Sequence, residues 1–228
     1  MKTIVITGCS WGAGEWTNFV ITHSGLAQYF IDNGFNVANL SQPGNGPFSL
    51  LQSLNSFLEV NKKVLDIQFV FLLQSDIGRD FKKFSHEYSY RQIIWNEDLN
   101  LDRNIKGIYR QFYNHLNNIG HQWEVKIQLI GGFTDLVMDF KHEFKYVNFL
   151  VPSWVQLIEP TASPVFLFNQ TNIPNFCQDK QQLLSYGQSA IERFNIFRDS
   201  HFFPDNGHPD RNGHKLLFQH LQSLGLFN

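Results

Sequence analysis

Two short segments at opposite ends of the 228-residue chain carry side chains that together could perform nucleophilic chemistry. Near the start, Ser10 lies in a glycine-rich turn, Gly8-Cys9-Ser10-Trp11-Gly12, that follows a short apolar run. Near the end, Asp205 and His208 stand three positions apart. A serine hydroxyl becomes nucleophilic when an imidazole takes its proton, and a carboxylate orients that imidazole. We therefore predict that Ser10, His208 and Asp205 act as nucleophile, general base and orienting group.

Alternating strand-like and helix-like segments must bring these two ends together. Five short apolar runs predict strands at Thr3–Thr7, Asn36–Leu40, Ile67–Leu73, Val125–Ile130 and Tyr146–Val151. Helix-like patterning is found in Asn18–Asp32, Leu50–Val60, Ile105–Asn118 and Arg211–Leu224. This alternation predicts an α/β fold, a three-layer sandwich with a central parallel sheet of about five strands.

Several polar or glycine-containing segments follow the predicted strands directly. They contain Ser10, Gly44, Gln74 and the pair Gly131-Gly132. Ligands of parallel sheets bind at the carboxyl ends of the strands, so we expect these residues to share one rim. Two segments, 75–103 and 152–178, are long for plain connections and are predicted to be functional loops.

The N-terminal glycines have a second interpretation. Thr7-Gly8-x-x-x-Gly12-x-Gly14 fits the pattern with which short-chain dehydrogenases bind a pyrophosphate. The chain lacks that family's Tyr and Lys four positions apart, because no tyrosine has Lys at the fourth following position. The second strand ends in Asn39-Leu40-Ser41 and supplies no acid for a ribose hydroxyl. An NAD(P)-dependent protein is therefore disfavoured, and no cofactor is predicted.

The spacing of the two terminal segments resembles that of the SGNH, or GDSL-like, hydrolase superfamily. Members of that superfamily carry a Gly-Asp-Ser-like block after the first strand and end in Asp-x-x-His. Gly8-Cys9-Ser10 and Asp205-x-x-His208-Pro209 match these blocks, with Cys9 in place of the usual Asp. Asn39-Leu40-Ser41-Gln42-Pro43-Gly44 resembles the second block. The resemblance implies a flavodoxin-like fold, a Ser-His-Asp triad and a backbone N–H of Gly44 that binds the oxyanion.

The third block departs from the pattern of the superfamily. Members have Gly-x-Asn-Asp after the third strand, whereas this chain has Gln74-Ser75-Asp76-Ile77-Gly78-Arg79. The asparagine whose side chain would bind the oxyanion is missing. Gln74, or Asn45 from the second block, could supply an amide in its place. Loss of one such donor typically lowers the rate by about 10²–10³.

These observations predict a serine-dependent ester hydrolase that acts on an acyl or acetyl ester of a small molecule or a glycan. The altered third block and the aromatic-rich loops leave an alternative open, a catalytically degenerate SGNH-like module that binds a glycan or a protein. Arg79 and Arg91 could hold an anionic substrate, or they could simply be solvated. A metal site is disfavoured, because His-Glu-x-x-His is absent.

Length and composition set the remaining expectations. A chain of 228 residues is expected to form a single domain, 1–228. A formal net charge of −2 provides no basic field for nucleic acid. No segment has the length or apolarity of a signal peptide or a membrane span, so a cytoplasmic location and no membrane partner are expected. Cys9 and Cys177 form neither a disulfide framework nor a metal-type spacing. The oligomeric state is not predicted.

Overall fold

A five-stranded parallel sheet forms the centre of the structure, a computed structural model that describes residues 1–18, 20–79, 101–167, 180–205 and 207–227. Its strands are β1 (Thr3–Thr7), β4 (Asn36–Asn39), β5 (Ile67–Leu73), β6 (Ile127–Ile130) and β7 (Val147–Val151). They lie in the order β4-β1-β5-β6-β7, and every pair is parallel. Counted along the chain, this is the 2-1-3-4-5 order of flavodoxin-like folds, which differs from the 3-2-1-4-5-6 order of dinucleotide-binding folds.

Helices cover both faces of this sheet. They are α1 (Ser10–Ala13), α2 (Leu26–Asp32), α3 (Pro47–Asn61), α4 (Leu101–Trp123), α5 (Trp154–Ile158), α6 (Lys180–Asp199) and α7 (Arg211–Ser223). Helices α3 and α4 pack on one face, and α2, α5, α6 and α7 contribute buried side chains to the core on the other. The predicted three-layer α/β sandwich is therefore confirmed.

Alternation along the strands gives each face its own core. In β1, Val5 packs on the α3–α4 face, whereas Ile4 and Ile6 pack on the opposite face. In β5, Val70 and Leu72 belong to the first core, and Phe71 and Leu73 belong to the second. Successive side chains of a strand point to opposite faces, so a strand covered on both sides must be apolar nearly throughout. This requirement explains the continuous apolar run of β5.

The predicted helix Asn18–Asp32 is wrong in its first half. A two-stranded antiparallel hairpin, β2 (Glu15–Thr17) and β3 (Val20–His23), precedes α2. Asn18 has a φ of 49°, a left-handed conformation that asparagine tolerates in turns. Val20, Ile21 and Thr22 are β-branched and favour a strand over a helix. Helix α2 begins only after Gly25.

The two long connections are described only in part. Residues 80–100, which include Arg91, and residues 168–179 lie outside the described part of the chain. Within the second connection the described residues form the short helix α5, which the sequence did not predict. Helix α6 was not predicted either. In the part of the chain that the structure describes, no helix has both the length and the apolarity to cross a membrane.

Candidate active site

The turn that carries Ser10 joins the end of β1 to the start of the one-turn helix α1. The loop after β4 approaches this turn and the start of α1 closely. A Cβ at Gly12 would lie 2.3 Å from the Oγ of Ser41. The Nδ2 of Asn39 donates a hydrogen bond to the carbonyl of Gly12 at 2.9 Å, and the N–H of Gln42 donates to the carbonyl of Gly8 at 3.0 Å. The first two sequence blocks are thus tied to each other.

Asp205 holds His208 through both of its carboxylate oxygens. Its Oδ2 lies 2.6 Å from the Nδ1 of His208, and its Oδ1 accepts the backbone N–H groups of Gly207 at 3.1 Å and His208 at 2.7 Å. A carboxylate accepts hydrogen bonds and does not donate them, so Nδ1 carries the proton in this pairing. The second ring nitrogen, Nε2, is then free to accept a proton.

Ser10, near the start of the chain, is hydrogen-bonded to this second nitrogen of His208, near its end. The Oγ of Ser10 lies 2.8 Å from the Nε2 of His208, although 198 positions separate the two residues. A second bond fixes the approach, because the Nε1 of Trp11 donates to the carbonyl of Gly207 at 2.7 Å. The structure therefore brings together the three residues that the sequence selected. Ser10 is 6% exposed, and the side chains of His208 and Asp205 are 29% and 31% exposed.

Comparison with known proteins finds distant similarity to solved structures. No protein-family model matches the sequence, and no curated protein gives a significant match. Solved structures that match include the psychrotrophic esterase EstA from Pseudoalteromonas sp., at 12% identity and a TM-score of 0.45, over 97% of this chain and 94% of that chain. A lipase/acylhydrolase from Enterococcus faecalis matches at 16% identity and a TM-score of 0.42, over 99% and 96% of the two chains.

An acetylxylan esterase from Geobacillus stearothermophilus, Axe2, also matches, at 13% identity and a TM-score of 0.37, over 99% of this chain and 94% of that chain. At such identities and TM-scores, neither the family nor the activities of those proteins are assigned to this chain.

Trp16 is a site residue that sequence reasoning missed. It lies on β2, and its ring packs at a tilt against the ring of His208, with 5.4 Å between centroids and 32° between planes. Its Nε1 donates to the carbonyl of Ser10 at 2.8 Å. Trp16 therefore touches both the nucleophile and the base. The sequence shows a tryptophan six positions after the serine and nothing more. Its contact with His208 depends on the β2–β3 hairpin, which the sequence did not predict.

Gln74 lies at the carboxyl end of β5, as predicted, but its amide is occupied. Gln74 is fully buried, and its Nε2 lies 2.5 Å from the carbonyl of Asp135 and 3.4 Å from the Oγ1 of Thr134. Its Oε1 accepts the hydroxyl of Tyr113 at 2.7 Å. Both hydrogens of an amide nitrogen are then in use, and none is left for an oxyanion. In this arrangement Gln74 is a structural residue.

Gly44 and Asn45 lie in the loop after β4, which the Ser10 turn anchors. Gly44 is exposed and has a φ of 77°, a conformation that glycine adopts without strain. Asn45 is 7% exposed, and its backbone carbonyl accepts the hydroxyl of Ser75 at 2.7 Å. That bond uses the backbone of Asn45 and not its side-chain amide. In α1 the N–H groups of Gly12 and Ala13 donate to the carbonyl of Cys9, at 3.0 and 3.3 Å, so the N–H groups that lack an acceptor within the helix are those at its first positions, beginning with Ser10.

A buried ion pair supports the rim beneath Gln74. The Nη1 of Arg193 lies 3.2 Å from the Oδ1 of Asp135, its Nη2 lies 2.5 Å from Oδ2, and the two side chains are 0% and 3% exposed. Asp135 Oδ2 also accepts the N–H of Val165 at 2.8 Å. Helix α6 is therefore pinned to the loop after β6. The sequence did not single out either residue, because no local pattern links them.

His214 has a structural place near the site. It is fully buried on α7, and its Nδ1 accepts the N–H of Leu26 at 3.1 Å. Burial lowers the pKa of His214 to about 3, although the Gly14 backbone opposes this shift. The imidazole is therefore neutral near pH 7 and acts as a hydrogen-bond acceptor. Among the described residues, no group of three or more His, Cys, Asp or Glu side chains is placed to hold a metal ion.

Proposed function

We propose that this protein is a serine-dependent ester hydrolase that uses Ser10, His208 and Asp205. The hydrogen-bonded series from Ser10 Oγ to His208 Nε2 and from His208 Nδ1 to Asp205 Oδ2 carries this proposal. Asp205 and His208, from the last part of the chain, and Ser10, from the first, form one continuous row of hydrogen bonds. The ordering suits proton transfer from the hydroxyl to the imidazole.

The proposed reaction has two halves. In the first, Ser10 Oγ attacks the carbonyl carbon of the ester while its proton passes to His208 Nε2. The proton then passes to the departing alcohol, and an acyl-serine remains. In the second half, water attacks the acyl-serine, His208 takes the proton of the water and returns it to Ser10, and a carboxylic acid leaves.

Backbone N–H groups are the proposed donors to the oxyanion. The N–H groups of Ser10 and Gly44 fill this role, and the side-chain amide of Asn45 is the third candidate. Gln74 is excluded from the set because its amide is bonded within the core. The tertiary contacts between the Gly8–Gly12 turn and the loop after β4 support this choice, since they fix the two donor loops relative to each other. Such preorganised donors are often the largest single contribution to catalysis.

The proposed substrates are acyl or acetyl esters of small molecules or glycans. The test is a steady-state assay with short-chain aryl esters and an acetylated sugar. Ser10→Ala and His208→Ala should each lower kcat by at least about 10³-fold. The control is Ser223→Ala, at the far end of α7, where the hydroxyl donates only to the His220 carbonyl. Equal turnover by Ser10→Ala and wild type would reject the proposed nucleophile.

A binding module without turnover is the second candidate, and the occupied amide of Gln74 favours it. Loss of one oxyanion donor lowers the rate by about 10²–10³, which can leave an SGNH-like site that binds without effective hydrolysis. This candidate predicts that Ser10→Ala binds a glycan or a protein as tightly as wild type. Binding with no release of acid or alcohol would favour it over the hydrolase.

A further inference from the structure

Arg79 lies in a helical turn shortly after β5, at the same edge of the sheet as Ser10. Its guanidinium carbon lies 4.7 Å from the ring centroid of Phe133, which follows the end of β6. Phe133 in turn packs edge-on against Trp11, with 5.9 Å between centroids. Trp11 is the residue next to the proposed nucleophile. A series of two aromatic rings thus connects the Arg79 cation to the Ser10 turn.

The guanidinium of Arg79 has an enclosed nitrogen without an acceptor. Its Nη1 is buried and makes no hydrogen bond to the described residues. The backbone N–H of Arg79 donates to the carbonyl of Asp76, and one carboxylate oxygen of Asp76 accepts the N–H of Gly78. Arg79 as a whole is partly buried, but an enclosed nitrogen of a charged group without a hydrogen-bond partner is costly, so this nitrogen is suited to an anion supplied from outside.

The other arginines provide a contrast. Four more have side chains that the structure describes, and each is paired with a carboxylate: Arg110 with Glu143, Arg193 with Asp135, Arg198 with Asp199, and Arg211 with Glu15. Arg110 is the closest parallel, because its guanidinium also lies over a phenylalanine, Phe140, at 5.8 Å. Among these five arginines, only Arg79 has no carboxylate partner in the described part of the chain.

We propose that Arg79 binds a carboxylate carried by the substrate, so that the site prefers anionic esters over neutral ones. The inference rests on the proposed hydrolase function of Ser10 and specifies its substrate class. A guanidinium matches a carboxylate in both charge and geometry, and the face of Phe133 holds the guanidinium in place. Arg79 is a specificity residue, and it takes no part in the proton transfers.

Two matched ester pairs test this preference. Mono-4-nitrophenyl adipate and 4-nitrophenyl hexanoate differ by a carboxylate on the acyl side, and 4-acetoxybenzoate and its methyl ester differ on the alcohol side. For at least one pair, the wild-type ratio of kcat/KM, anionic over neutral, should fall by about 10- to 100-fold in Arg79→Gln. Arg79→Lys should retain part of the ratio, and Arg110→Gln should leave it unchanged. Equal ratios in wild type and Arg79→Gln for both pairs would overturn the inference and leave the ester hydrolase intact.

A binding measurement keeps the inference testable if no ester is hydrolysed. Millimolar adipate or 4-hydroxybenzoate should raise the Tm of the wild-type protein and of Arg110→Gln, and should leave the Tm of Arg79→Gln unchanged. A shift of this kind without hydrolysis would reject the proposed function and retain the anion site. No shift in wild type, or the same shift in Arg79→Gln, would reject the anion site.

Discussion

At the scale of single residues, the site depends on how His208 is held. Asp205 fixes one ring nitrogen at 2.6 Å, Ser10 is 2.8 Å from the other, and the ring of Trp16 packs at a tilt against the imidazole. In the proposed mechanism the imidazole becomes a cation during attack. An indole face attracts a cation by about 0.5–2 kcal/mol, so Trp16 is placed to stabilise that form as well as to position it.

Trp16→Leu should lower kcat by about threefold to thirtyfold, because it removes the aromatic face from His208. Trp16→Phe keeps an aromatic ring against His208 and should therefore retain most of the rate, although it loses the hydrogen bond to the Ser10 carbonyl. The measurement is kcat and KM on a neutral aryl ester across pH 5–9. Trp123→Phe is the matched control, because its indole bonds to Asn55 away from the site. Equal kcat values for Trp16→Leu and wild type would remove Trp16 from the site.

At the scale of elements, the sheet was predictable and the hairpin was not. Strands β1 and β5 begin and end where the sequence places them, because continuous apolar runs bounded by polar residues leave little freedom. The segment 15–23 has mixed signals, because its β-branched residues favour strands while its patterning also resembles that of a helix, and in the structure it pairs as β2 and β3. Helix α6 carries only a weak apolar stripe, and its buried Arg193 bonds to a residue 58 positions away.

The same division applies to the candidate site. Ser10, Asp205 and His208 could be selected from the sequence, because a nucleophile turn and an Asp-x-x-His motif are local patterns. The roles of Trp16 and Gln74 could not, because they depend on contacts between distant elements. Gln74 stands where an oxyanion donor was expected, but Thr134 and Asp135, 60 and 61 positions away, occupy its amide.

Gly131→Ala should destabilise the rim of the sheet. A Cβ there would lie 2.1 Å from the backbone carbonyl oxygen of Pro152, which cannot move without displacing the start of α5. Overpacking of this kind lowers the free energy of unfolding by about 1–3 kcal/mol. Gly107→Ala, in the interior of α4 with open space where a Cβ would stand, should instead raise that free energy by about 0.5–1 kcal/mol. Urea denaturation of both variants gives the comparison, and a neutral effect of Gly131→Ala would contradict the packing described at this edge.

At the scale of the whole molecule, hydrogen bonds and an ion pair join the first and last parts of the chain, and we call this set of contacts the closure. Trp11 bonds to Gly207, Glu15 pairs with Arg211 at 3.2 Å, and the ring of His214 accepts the N–H of Leu26. The proposed triad spans this closure, so its geometry depends on contacts that join the two ends. Any loss of the closure should therefore separate His208 from Ser10.

The buried His214 makes this closure sensitive to acid. Its pKa is about 3 in the folded protein and about 6.5 when unfolded, so between these values the unfolded chain binds more protons. This contribution to the free energy of unfolding is fully present above about pH 6.5. Between that pH and about pH 3, the free energy of unfolding falls by about 1.4 kcal/mol for each pH unit. His214→Gln should remove this slope from urea-denaturation curves recorded from pH 7 to pH 4. Exposed His201, changed to Gln, is the control, and a wild-type slope in His214→Gln would contradict the assignment.

The central claim, an activated Ser10, is tested most directly by the intact mass of the folded protein after exposure to a neutral fluorophosphonate probe. Wild type should gain one adduct, Ser10→Ala none, and His208→Ala should react at least about 10²-fold more slowly, because its serine lacks a base. Peptide mapping should place the adduct on Ser10. An unmodified wild-type protein after long exposure, or equal labelling rates for wild type and His208→Ala, would contradict the account.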